Sequence, residues 1–152
     1  MQLIAPFGAA AGGAPASCSC LKFSSDGKKM LIGAPGRVLC LDAYTGDLLQ
    51  TFTGHANDQQ QPLEACFSPD GEHVLSGSED GTIWRWKTET AELLPALTGH
   101  EGAVTAVKCN PTRDMLASAS TEVRLWIPPP TESSACATGA AAAGGFARAR
   151  AY

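Results

Sequence analysis

His55, Ser76 and Asp80 are the residues of this 152-residue chain whose types could do chemistry together. A hydroxyl, an imidazole and a carboxylate are the parts of a nucleophile, its general base and the group that orients that base. With Trp86 added, the same types can instead close a structural chain. Indole N–H, hydroxyl, imidazole and carboxylate each satisfy the next when they are buried together. Recurrence decides between the two readings. His100, Ser118 and Trp126 repeat three of the four types one unit later, and a catalytic centre has no reason to return with the period of a fold. The expectation is a structural hydrogen-bonded network at His55, Ser76, Asp80 and Trp86, with Trp86 largely buried. A partial network is expected at His100, Ser118 and Trp126, and no residue is expected to be catalytic.

The elements that must position these residues follow from the repeat. Gly54–His55 returns as Gly99–His100, Phe23-Ser-Ser-Asp-Gly27 returns as Phe67-Ser-Pro-Asp-Gly71, and Trp86 returns as Trp126. A period of roughly 40–45 residues with Gly-His and Trp signatures marks a four-stranded blade of a β-propeller. Within each unit, short apolar runs end in turn signals. Residues 20–23, 63–67 and 104–109 read as first strands, and 29–32, 73–76 and 115–118 as second strands. Residues 38–41, 82–86 and 123–126 read as third strands, and 48–52 and 93–97 as fourth strands. The last unit is expected to stop one strand short at Pro128-Pro-Pro130, because proline cannot donate to a ladder. The expected fold is all-β, with three blades at 19–53, 54–98 and 99–127. Residues 1–18 are expected to be a flexible segment or the remnant of a preceding strand at Ala5-Pro-Phe7. Residues 128–152 are expected to be a disordered Ala/Gly-rich tail.

Composition narrows the function classes. The net charge of −4 and the absence of a basic stripe argue against direct nucleic-acid binding. No run is long or apolar enough for a membrane helix, and the start lacks the basic residues of a signal peptide. Among the six cysteines, Cys40 and Cys109 fall within strands and read as small buried hydrophobes. Cys18-Ser-Cys20 lacks the second pair a zinc site needs. The cysteine pattern is that of a reducing compartment. No cofactor, metal or small-molecule substrate is expected, since neither a nucleophile elbow nor a phosphate-cradling glycine loop is present.

Three runs carry a family resemblance over about residues 20–130: Leu41-Asp-Ala-Tyr-Thr-Gly46, the Leu63-Glu-Ala opening of the second unit, and the Leu125-Trp-Ile-Pro128 ending. Together they resemble the last three blades of the WD-repeat-82-type subunit of COMPASS histone H3 lysine methyltransferase complexes. The resemblance implies a WD40 propeller of seven blades, of which about three are present here, and no catalytic activity. It implies a nuclear scaffold whose partners are a SET-domain methyltransferase complex, RNA polymerase II and phosphatase or mRNA 3′-end processing assemblies. In WD-type blades the His, Ser, Asp and Trp types form a hydrogen-bonded chain, as expected here. No residue matches a known partner-binding site. A ubiquitin-ligase substrate receptor is the alternative scaffold, disfavoured because Trp86-Lys-Thr-Glu89 and Trp126-Ile-Pro-Pro129 lack the Trp-Asp-x-Arg of such receptors. A truncated product without independent function is the other alternative, since open strand edges template association with other chains.

Overall fold

The computed structural model describes residues 18–128 and, as backbone, a strand at residues 147–150. Among the described residues, twelve strands form three antiparallel sheets, each with its strands in chain order. The first sheet is β1 (Cys20–Phe23), β2 (Lys29–Ala34), β3 (Arg37–Asp42) and β4 (Leu48–Thr53). The second is β5 (Ala65–Phe67), β6 (His73–Gly77), β7 (Thr82–Lys87) and β8 (Leu93–Thr98). The third is β9 (Ala106–Cys109), β10 (Leu116–Ala119), β11 (Val123–Ile127) and β12 (Ala147–Arg150). The fourth strand of the third sheet corrects the expectation that the chain stops at the prolines. β12 runs antiparallel to β11, with Leu125 opposite Arg150 and Ile127 opposite Ala147. Proline ends β11 but does not prevent a later segment from returning to its free edge. Within the segment expected to be a disordered tail, residues 147–150 form a strand. Residues 1–17, with Ala5-Pro-Phe7, and residues 129–146 and 151–152 lie outside the described residues.

Turn chemistry explains why the units look alike. At the β1–β2 turn, Ser24 Oγ donates to Asp26 Oδ1 at 2.6 Å and accepts the Lys29 N–H at 2.9 Å, while Asp26 accepts the Lys28 N–H. The β5–β6 turn repeats this with Ser68, Asp70, Glu72 and His73. At the β9–β10 turn Asn110 Oδ1 alone takes the amides of Thr112 and Arg113. A short acceptor side chain satisfying backbone two or three residues on is an Asx-type turn. The distinctive run 41–46 has the same cause. Asp42 Oδ1 accepts the N–H groups of Tyr44 and Thr45, both at 2.8 Å, and those bonds hold its carboxyl below the usual carboxylate range.

Each sheet buries a face against the next. The first core joins Leu31, Val38, Cys40 and Phe52 to Ala65, Phe67, Val74 and Trp86. The second joins Cys66, Leu75, Ile83 and Leu97 to Val104, Val107, Leu116 and Trp126. Alternation along β5 assigns Phe67 to one core and Cys66 to the other, as the period of two requires. The first strands β1, β5 and β9 lie side by side, the arrangement of blades around a common axis. Cys40 is buried as expected, whereas Cys109 is only half-buried because it sits at the end of β9. The outward faces of the end sheets leave apolar side chains in solvent: Leu21 and Phe23 on the first, Val123, Leu125 and Ile127 on the third.

Two backbone positions generate predictions. Gly77 lies against the third sheet, and a Cβ there would come within 1.9 Å of the Val104 carbonyl oxygen. Gly77→Ala is expected to destabilise by on the order of 3 kcal/mol, the cost of overpacking against backbone, read as a lower melting temperature. Ala91 has φ +55°, while Gly46, at the corresponding turn of the first blade, has φ +80°. Ala91→Gly is expected to stabilise by about 0.5 kcal/mol, because relief of left-handed strain exceeds the entropy glycine adds to the unfolded chain. Chemical denaturation of the two proteins checks it, and a lower midpoint for the glycine variant refutes it.

Candidate functional site

His55, Asp80 and His100 lie in the connections β4–β5, β6–β7 and β8–β9 at one end of the blades, while Ser76, Trp86, Ser118 and Trp126 lie on β6, β7, β10 and β11. In the middle blade His55 is buried and packs edge-on to Trp86, with ring centroids 6.0 Å apart. Trp86 is 2 % exposed, flanked by Phe52 at 5.6 Å and by Trp84 at 6.1 Å. The expected four-residue chain does not close here. Ser76 Oγ donates to the Gly77 carbonyl at 3.0 Å, and His55 Nδ1 has no hydrogen-bond partner. Asp80 Oδ1 is taken by its own turn, accepting the Thr82 N–H at 2.9 Å and the Thr82 hydroxyl at 2.5 Å. The physical reason is proximity: Thr82 stands two residues away and meets Asp80 at no cost in chain entropy.

Residues that type-matching missed fasten this end of the middle blade. Ser78 Oγ accepts the Ala56 N–H at 3.0 Å, and the Glu79 N–H donates to the Ala56 carbonyl at 3.0 Å. The Glu79 carboxylate accepts the amides of Asp58 and Gln59. Ser78 and Glu79 stand beside Asp80 in the Ser76-Gly-Ser-Glu-Asp80 run. That run was the only signal that could have found them. Glu64 was equally silent in the sequence, yet it stands between Lys22 at 3.6 Å and Lys108 at 3.1 Å, linking the three first strands.

The third blade, with fewer of the matching types, does close its chain. His100 Nε2 lies 2.6 Å from Ser118 Oγ, and the Trp126 indole N–H donates to the same Oγ at 2.7 Å. Glu122 Oε1 lies 3.7 Å from His100 Nδ1 and is paired with Arg124 at 2.5 Å. Hydroxyl, imidazole and carboxylate thus follow the order of a hydrolytic triad, but His100 Nδ1 makes no hydrogen bond to the carboxylate. Ser118 is 2 % exposed, however, and the indole N–H occupies an acceptor site on its oxygen. A nucleophile needs an approach path for an electrophile, and this hydroxyl has none.

At the opposite end, Asp70, Glu72 and His73 bring ligand atoms within 4.8 Å of one another beside a cleft of about 500 Å³. Asp70 Oδ1 accepts the Ser68 hydroxyl and the Glu72 N–H, which ties that oxygen to the turn.

Two predictions follow from this geometry. Ser118→Ala is expected to cost about 1–3 kcal/mol, since it strands a buried indole donor and an imidazole nitrogen. Ser76→Ala, which removes one bond to a neighbouring carbonyl, is expected to cost less than about 1 kcal/mol. Equal losses in urea denaturation would refute the contrast. Burial pushes the pKa of both His55 and His100 below the ordinary 6.5; Asp80 and Glu122 respectively oppose the shift. Below that value the unfolded chain binds protons that the folded chain refuses. Their stabilising contribution is therefore present above the ordinary value and lost as pH falls through the lowered ones. The melting temperature should drop between about pH 7 and pH 5.5, a range in which few other side chains titrate, and a flat profile would refute it.

The comparisons with known proteins agree with this architecture. The model of the WD domain, G-beta repeat, matches residues 46–87 and 91–126. WD repeat-containing protein 82 of Drosophila melanogaster is 47 % identical over 110 residues, covering 71 % of this chain and 35 % of that protein. Protein ANTHESIS POMOTING FACTOR 1 of Arabidopsis thaliana is 40 % identical over 125 residues, covering 82 % of this chain and 38 % of the relative. WD repeat domain-containing protein 83 of Homo sapiens is 36 % identical over 116 residues, covering 75 % and 36 %. The chain thus spans little more than a third of these relatives. The crystal structure of RRP9 WD40 repeats superposes with a TM-score of 0.64 at 22 % identity, over 75 % of this chain and 36 % of that one; it shows the fold. Repeat period, blade topology and family model agree that the chain belongs to the WD40-repeat family and forms part of a β-propeller.

Proposed function

We propose that this chain is part of a non-catalytic scaffold subunit of a COMPASS-type histone H3 lysine methyltransferase complex. Its place is the nucleus, with links to RNA polymerase II transcription, phosphatase assemblies and mRNA 3′-end processing. The observation that carries the reading is the 47 % identity over 110 residues to WD repeat-containing protein 82. The Asp42-capped turn at 41–46 supports it, since that run departs from the usual Trp-Asp ending of a third strand. Scaffolding rather than catalysis is supported by the third blade, where the one assembled Ser–His pair is sealed beneath Trp126. The blades are assigned as 19–53, 54–98 and 99–127, the last completed by the returning strand at 147–150. His55, Ser76, Asp80 and Trp86, like His100, Ser118 and Trp126, are assigned structural roles. The ligands are proteins, with no cofactor, metal or small-molecule substrate and no direct contact with nucleic acid or membrane. Leu21, Phe23, Val123, Leu125 and Ile127 mark the faces that adjoining blades would cover.

The test is affinity purification of the full-length gene product from nuclear extract, followed by mass spectrometry. A SET-domain methyltransferase and its associated subunits are expected. Recovery of cullin adaptors without a methyltransferase would overturn the reading in favour of a ubiquitin-ligase receptor. The 152-residue chain alone is expected to bind the methyltransferase far more weakly, because partners of a propeller contact several blades.

A further inference from the structure

Cys109 occupies the place in β9 that Phe23 holds in β1 and Phe67 holds in β5. Phe67 fills its place by packing into the core between the first two blades. Cys109 packs at the edge of the core between the second and third. A thiol is much smaller than a phenyl ring, and the room it leaves is met from the other side by Cys66. The two sulfurs lie 3.7 Å apart across the blade interface, 43 residues apart in sequence. Cys66 is 7 % exposed, and Cys109 is half-buried at the rim of the interface.

We propose that Cys66 and Cys109 form an oxidation site that closes into a disulfide between the second and third blades, with a low-molecular-weight disulfide as oxidant. The sulfurs must approach from 3.7 Å to about 2.0 Å. The partial exposure of Cys109 gives a small oxidant access. One protein thiolate attacks a sulfur of the oxidant, forming a mixed disulfide and releasing one small thiolate. The second protein thiolate then attacks the protein sulfur of that mixed disulfide and releases the second small thiolate. Two protein thiols are oxidised, one small disulfide is reduced to two thiols, and the two thiol protons pass to them. The contact between the pair favours the first ionisation: a thiolate at Cys66 can accept the Cys109 S–H, which holds the Cys66 thiol below its ordinary range and pushes Cys109 up. Once closed, the bond ties β5 to β9 covalently, adding to the packing and the Glu64–Lys108 ion pair that join the two blades.

The experiment incubates the folded 152-residue chain with oxidised glutathione, blocks remaining thiols with N-ethylmaleimide in denaturant, and maps crosslinks by mass spectrometry after digestion. A Cys66–Cys109 crosslink is expected to dominate, to be reversed by dithiothreitol, and to raise the melting temperature by on the order of 10 °C. Cys109→Ser is expected to lose both the crosslink and the temperature rise. Crosslinks that instead join Cys18, Cys20, Cys40 or Cys136, or glutathione adducts at Cys66 or Cys109 without a bond between them, would overturn the proposal. Mapping of the unsubstituted chain decides the question even if Cys109→Ser fails to fold.

Discussion

Every other feature of this structure depends on the burial of one sheet face against the next. A single four-stranded sheet of this length has two faces and no third layer, so it cannot remove both from water by itself. Phe52 from the first blade and Trp86 from the second meet in one interface, and Leu97 and Trp126 share the next. Apolar burial of this kind contributes about 25 cal/mol per Å², and a large aromatic side chain supplies more area than any other. The tryptophans recur with the period of the repeat because each interface needs one bulky filler of the same depth.

That packing sets the conditions for the polar groups behind it. An indole buried in an interface carries an N–H into a region without water, and the group must find an acceptor there. In the third blade Ser118 supplies it and is held in turn by His100. In the middle blade the hydroxyl and carboxylate are spent separately, the imidazole Nδ1 stays unpartnered, and the connection at 56–59 is fastened by Ser78 and Glu79 instead. The same inventory of residue types thus yields two bonding patterns. The difference lies in the loop: Ser76 to Trp86 spans ten positions and Ser118 to Trp126 eight, and in the longer one Thr82 takes the Asp80 carboxylate.

The close approach of the first strands produces the remaining cross-blade contacts. Around the axis the chain brings Lys22, Glu64 and Lys108 together, and Cys20 Sγ accepts the Ala65 N–H at 3.3 Å. Gly77 has no side chain because the Val104 carbonyl occupies the space. Apart from the Gly77–Val104 approach, these contacts join residues about one repeat apart. They hold the angle between blades, whereas the turns with their Asx bonds hold each blade internally.

The sequence by itself determined the local structure. Periodic Phe-Ser-x-Asp-Gly and Gly-His signals placed eleven strands to within a few residues, because turn geometry and strand alternation are properties of short segments. The same markers indicated WD40 membership and the burial of Trp86. Only the tertiary structure decided which of those side chains bond to one another, since a hydroxyl or carboxylate chooses among several acceptors and donors by fractions of an ångström. It also decided the return of Ala147–Arg150 to the edge of β11, where a long connection erased any sequence periodicity. The meeting of Cys66 with Cys109 was invisible for the same reason. Distance between blades is set by how whole sheets pack, and no short segment encodes it.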